Sequence, residues 1–197
     1  MSRLPLLTPD RLTDAQRAMY DSLTTGPRGD PQRPGGGLAL EDGSLIGPFN
    51  AMLYSPVAGE AVQKLGATLR FETSLPQNLA ELAIIVTARE WTAQFEWWAH
   101  ARMAANAGVD ASIIDAVRER RRPEFRDAAE STVYDFCREL LDTRRVSEAT
   151  YAAARDVLGE AGVMELVWLQ GYYGLVSMLL NVVEVPLPEG VETPLEL

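Results

Sequence analysis

The run LVWLQGYYGLVSMLLNVV, residues 166 to 183, holds no charged side chain over eighteen positions, and it restricts the fold more than any other segment. A stretch this apolar has two homes. One is a bilayer, which needs about 20 residues to cross; the other is a protein interior, where a helix apolar on most sides must be covered by its neighbours. Gln170, Gly171, Gly174, Ser177 and Asn181 interrupt the run, and no second such stretch occurs. The expectation is therefore the central helix of a domain or of an oligomer, with no membrane partner.

The rest of the chain has to supply that cover, and nearly all of it reads with helical period. Thr13 with Gln16 has the form of a capping box for a helix ended by Gly26. Ser55 and Pro56 open a helix to about Glu72, and Ser74 with Gln77 opens LPQNLAELAIIVTARE. Thr92 is placed to cap the following helix, which Gly108 ends. Asp110 caps a short helix to about Arg120, a longer one covers roughly 124 to 143, and Ser147 caps one ending at Gly159. The uncharged run falls in the last helix, about 163 to 183. Residues 26 to 48, dense in Gly and Pro, read as a long loop, lid-like or disordered. The fold class expected is all-α, a single-domain helical bundle. The organisation is an N-terminal helix and loop over 1–44, a helical domain over 45–188, and a tail over 189–197.

Charge excludes some partners. Eighteen basic against 28 acidic side chains leave −10, the wrong sign for phosphate backbones or anionic lipid, so no nucleic acid partner is expected. The basic run RERRRPEFR, residues 118 to 126, is the local exception. It reads either as a solvated helix end or as an anion or partner site. Cys137 is the only cysteine, so no intramolecular disulfide forms and metal-ligand spacings are missing. Within TVYDFCRELL it falls at helical spacing from Val133 and Leu140, where a small buried residue fits. The N-terminal apolar run is too short and proline-broken for a signal peptide, and a cytoplasmic location is expected.

Chemistry concentrates in AQFEWWAH, residues 93 to 100, which ends in the only histidine. Three- and four-residue spacing puts Ala93, Glu96, Trp97, Met103, Ala104 and Ala107 on the face of His100. Glu81 heads the run LAIIV and shares a face with Ile84, Ile85 and Ala88, where an unpaired carboxylate is costly to bury. The short break at 90–92 lets the two helices pack antiparallel, carrying Glu81 towards His100. Trp97 and Trp98 cannot both face inward on one helix. An i,i+4 Glu and His pair on a solvated face is the plainer alternative.

The segment ELAIIVTAREWTAQFEWWAHARMAANAGVD resembles the signature region of the carboxymuconolactone decarboxylase family. That family also contains thiol peroxidase and disulfide-reductase proteins that partner alkyl hydroperoxide reductase. The peroxidase branch carries Glu, eleven residues, Cys, two residues, Cys, three residues, His. The corresponding positions here are Glu81, Ala93, Glu96 and His100, so the spacing is kept and both thiols are replaced. GSLIGPFNAMLYSP and GYYGLVSMLLNVVEVPLP are also similar to the longer decarboxylase-like members, which extends the resemblance over residues 45 to 188.

The resemblance implies a helical-bundle enzyme that assembles as a homo-oligomer, trimer or hexamer, with pockets near subunit interfaces. Peroxide reduction needs a thiolate and a resolving thiol, which Ala93 and Glu96 do not supply. What remains is acid/base chemistry without a cofactor or metal. The expected reaction is decarboxylation or a related lyase, isomerase or lactone reaction on a small cyclic or carboxylated substrate. His100 is the expected general acid/base, with Glu81 or Glu96 orienting it and the other contacting substrate. Phe49, Asn50, Met52 and Leu53, in the loop before the Ser55 helix, are expected near the pocket, with Trp97 and Tyr172 or Tyr173. Arg89 and Arg102 are candidates for a substrate carboxylate, against the plainer reading of surface ion pairs. Two competing functions are a thiol-peroxidase-like protein and a non-catalytic small-molecule-binding oligomer.

Overall fold

A computed structural model describes residues 2–26, 29 and 37–196. Among them the architecture is all-α. The helices are α1 (Asp14–Thr25), α2 (Pro48–Leu53), α3 (Pro56–Phe71), α4 (Gln77–Glu90), α5 (Gln94–Asn106), α6 (Ala111–Arg118), α7 (Ala128–Thr143) and α8 (Glu148–Val183), preceded by a 3-10 turn at Pro9–Arg11. The only extended pairing described is a single antiparallel bridge between Ala39 and Leu45. Residues 27–28 and 30–36 of the expected loop lie outside the described residues.

α4 is central because apolar side chains ring it. Leu79, Leu82, Ala83, Ile84, Ile85, Val86 and Ala88 are buried around its whole circumference, so it packs against α5, α6, α7 and α8 together. The uncharged run places Leu166, Leu169, Tyr172, Tyr173, Val176 and Leu180 in the same core. A smaller core joins α1 and α2 through Met19, Leu23, Leu38, Leu45, Phe49, Met52 and Leu53. Gly159 interrupts α8 with φ 71° and ψ 171°, which is the helix end expected there. Beyond that break Met164, Trp168, Leu175, Met178 and Val182 remain exposed along one stripe of α8.

The helix starts divide into two groups. Thr13 with Gln16, Asp110 and Ser147 form side-chain caps. Ser74 does not, because its N–H and hydroxyl both donate to Glu165, at 3.0 and 2.7 Å, and α4 begins after Pro76. Thr92 does not cap α5 either. It takes φ 47° in the three-residue reversal between α4 and α5, leaving Ala93 as the N-cap. α7 starts at Ala128 behind an Asp127 cap rather than at 124. The segment before Ser55 is helical, not loop. Gly47 (φ 60°) turns the chain into α2, and a β-carbon there would lie 2.6 Å from the Phe95 ring. Only glycine permits both the turn and that approach.

Candidate functional site

α4 and α5 run antiparallel across the tight reversal, which brings Glu81 to His100. The imidazole Nδ1 lies 2.7 Å from Glu81 Oε2, and Nε2 lies 3.1 Å from Glu96 Oε1. Both glutamates thus hold the ring, one from each helix. Arg70, in the last turn of α3, donates from Nη2 to the other Glu81 oxygen at 3.2 Å and touches Met103 Sδ at 3.2 Å. Tyr173 of α8 packs edge-on against the imidazole, centroids 4.9 Å apart at 77°. Fractional exposures of 2% for Glu81, 4% for Glu96 and 5% for His100 keep water from screening the cluster.

Burial alone disfavours charge on each of these groups. At His100 burial works against the charged ring, yet the Glu81 carboxylate, with hydrogen bonds to Glu81 and Glu96, outweighs it and raises the imidazole above its ordinary value of 6.5. Burial likewise opposes ionised Glu81, and the charge and hydrogen bond of His100, with Arg70, still hold its carboxyl below the ordinary 4.5. Burial pushes the Tyr173 phenol up, so it stays protonated. The result is a paired cluster, with Arg70 and the imidazolium both held on the Glu81 carboxylate.

A cavity of about 70 Å³ opens beside the cluster. Its polar wall is Arg70, Glu96 and His100, and its apolar wall includes Phe49, Phe95, Trp98, Tyr172 and Tyr173. Phe49 and Tyr172 thus line it. Asn50 does not: its side chain holds Leu7 N–H and the Pro5 carbonyl at 2.9 and 3.0 Å. It lines a separate apolar cavity of about 270 Å³, which shares only Ile46 and Phe95 with the first. Leu53 and Trp97 are packed in the two cores, 0% and 3% exposed, and Met52 sits in the smaller one. Trp98 rather than Trp97 meets the cavity, with the Arg102 guanidinium 4.8 Å over its ring. Arg89 is at neither the cavity nor a surface ion pair; it is buried at the far end of α4.

Arg70 is the residue that sequence reasoning missed. A lone arginine in a last turn reads as a complement to the helix dipole, and no helical spacing links it to Glu81 across the α3–α4 connection. Cys137 is fully buried in α7, where burial raises its thiol far from reactivity.

No protein-family model matches the chain, and no curated protein does so either. Solved structures do. An alkylhydroperoxidase AhpD core protein from Ralstonia eutropha JMP134, described as uncharacterized and peroxidase-related, superposes with a TM-score of 0.73 at 14% identity, over 95% of this chain and 93% of that one. A peroxidase-related protein from Silicibacter sp. TM1040 gives 0.67 at 14% identity, over 94% and 91%. The debrominase Bmp8, as a variant in complex with 2,3,4-tribromopyrrole, gives 0.67 at 13% identity, over 98% and 96%. The chain has the AhpD-like fold. At these identities the likeness concerns the backbone, and the chemistry has to be argued from this chain's own residues.

Proposed function

We propose that the chain is an acid/base enzyme of the carboxymuconolactone decarboxylase type, acting without a cofactor on a small cyclic or carboxylated compound. The observation that carries this reading is the imidazole clamped between two carboxylates, Nδ1 to Glu81 and Nε2 to Glu96, on the wall of an aromatic cavity. In a decarboxylation the bond to the carboxylate carbon breaks, its electron pair moves through the double bond onto a carbonyl oxygen, and the ring carbon takes a proton. Arg70 is placed to stabilise the oxygen anion. Glu96 and His100 both line the cavity and touch each other through Nε2, so the pair delivers the proton to substrate while Glu81 fixes the ring. The same parts serve an isomerase or lactone reaction.

Carboxymuconolactone itself is the first probe, followed by loss of its absorbance and release of carbon dioxide. His100→Gln is expected to lower turnover roughly 100-fold or more with the fold intact by circular dichroism; near-normal turnover removes His100 from the mechanism. The thiol reading makes a different prediction, peroxide reduction that depends on thiol and disappears in Cys137→Ser.

We also infer self-association through the α8 stripe. Trp168, Leu175, Met178 and Val182 are exposed together, at steps of seven, three and four residues that suit pairing with another helix. Trp168→Glu is expected to yield a smaller species in sedimentation; an unchanged mass sinks the idea.

A further inference from the structure

A third cavity, about 140 Å³, lies at the junction of α4, α6 and α7, lined by Val86, Arg89, Val117, Arg120, Tyr134 and Arg138. Three of its six lining residues are arginines, in a chain whose net charge is −10. Their partners do not balance them. Arg138 contacts Glu90 at 3.0 Å and also Asp142, while Arg120 shares the same Glu90 oxygen at 3.6 Å. Arg89 has no ion-pair partner among the described residues. Its Nε donates to the Arg118 carbonyl at 2.7 Å and Nη1 to the Thr92 hydroxyl at 3.2 Å, both neutral acceptors, although the residue is only 7% exposed. Burial, then the neighbouring Arg120 charge, pulls its guanidinium below the ordinary value, against the opposing charges of Glu196 and Glu90.

Two backbone features gather these donors. Thr92 and Arg120 both take left-handed φ, 47° and 57°, a conformation that costs a non-glycine residue energy and marks positions held by their surroundings. Through it Arg120 turns back to donate to Thr92 Oγ1 at 3.2 Å, the oxygen that also accepts from Arg89. With both lone pairs taken, the hydroxyl proton is left to donate. Arg118, Arg121 and Arg122 of the same basic run are instead tied up with Asp115, Glu119 and Asp135.

We propose that this cavity binds a small oxyanion, a phosphate, sulfate or carboxylate, held by Arg89, Arg120 and the Thr92 hydroxyl. The planar guanidinium fork suits such an anion, and the Val86 and Val117 walls exclude water that would weaken the contact. The bound anion gives Arg89 the charged contact that it lacks and ties the α4–α5 reversal to the loop after α6.

The test uses the full chain, titrated with inorganic phosphate, sodium sulfate or sodium acetate against sodium chloride at matched ionic strength, by calorimetry and thermal unfolding. One anion per chain is expected to bind saturably and raise the Tm. Arg120→Gln is expected to weaken binding about tenfold or more, and the surface variant Arg155→Gln to leave it unchanged. Arg89→Gln is expected to abolish it; if that variant fails to fold, the half-exposed Arg120 decides. Binding of acetate alone, or of the tetrahedral ions alone, identifies the source of the oxyanion. Response to chloride alone, or equal affinity in Arg120→Gln and Arg155→Gln, overturns the proposal.

Discussion

α4 carries a buried charge near each end, and the two are treated differently. Glu81, in its second turn, meets Arg70 at 3.2 Å and the His100 imidazole at 2.7 Å. Arg89, in its last turn, meets a carbonyl, a hydroxyl and two further arginines around a cavity. A buried charge is costly unless paired. The Glu81 end is complete within the chain, which is what a site that moves a proton and returns to its starting state requires. The Arg89 end holds a buried guanidinium that touches only neutral acceptors, which is what a site for a charged ligand requires. Burial by itself therefore says little about what a charged residue does; the balance of its partners says more.

The sharpest way to break that comparison is to empty its balanced end. Glu81→Ala leaves Arg70 and the imidazolium facing each other without the carboxylate between them, and removing one member of a buried ion pair typically costs about 3–5 kcal/mol. Urea denaturation is expected to show a loss in that range, with much of it recovered by the double variant with His100→Leu, which removes a stranded charge. A loss under about 1 kcal/mol would mean that the cluster behaves like a surface pair and that its balance is incidental.

A smaller effect is expected from pH. His100 binds its proton more tightly folded than unfolded, so its contribution is fully present below the ordinary value of 6.5 and is lost as pH rises through the raised folded value. Glu81 works the other way: its contribution is present above the ordinary 4.5 and is lost as pH falls through the lowered one. Stability from this cluster is thus greatest between those two ordinary values. Above 6.5 it declines by up to about 1.4 kcal/mol per pH unit. Denaturation at a series of pH values measures the slope, and His100→Gln is expected to flatten it. An identical slope in that variant would place the proton elsewhere.

The two ends of α4 also differ in how far the sequence exposes them. Glu96 and His100 sit four apart on one helix, so helical geometry alone joins them, and the antiparallel pairing of α4 and α5 brings in Glu81. Arg70 joins from α3 through a tertiary crossing with no periodic trace. Arg89 reads from sequence as a substrate-carboxylate contact or, more plainly, a surface pair, because arginine on a helix of an acidic chain usually is one; its burial depends on how α6 and α7 close over the end of α4. The fold class followed from helical period, since long periodic segments are the strongest local signal. α2 escaped because its six residues, PFNAML, begin at a proline inside a Gly- and Pro-rich stretch and are too few to show a period. Thr92 escaped because two arginines compete for its hydroxyl, a demand from outside the helix it was expected to start.

The smallest expected effect sharpens the comparison from its unbalanced end. Arg120 is half exposed, with 47% of its side-chain surface open, and its contact with Glu90 is long and shared with Arg138. An ordinary surface substitution at such a position moves stability by within about 0.5 kcal/mol. Arg120→Gln also removes a like charge beside Arg89, so in low-salt chloride buffer it is expected to be neutral or slightly stabilising. Raising the salt screens the same repulsion in the wild type, and the difference between the two proteins is expected to shrink. A loss of more than about 1 kcal/mol at low salt would show that Arg120 already has compensation within the chain. The two ends of α4 would then be alike in being self-sufficient.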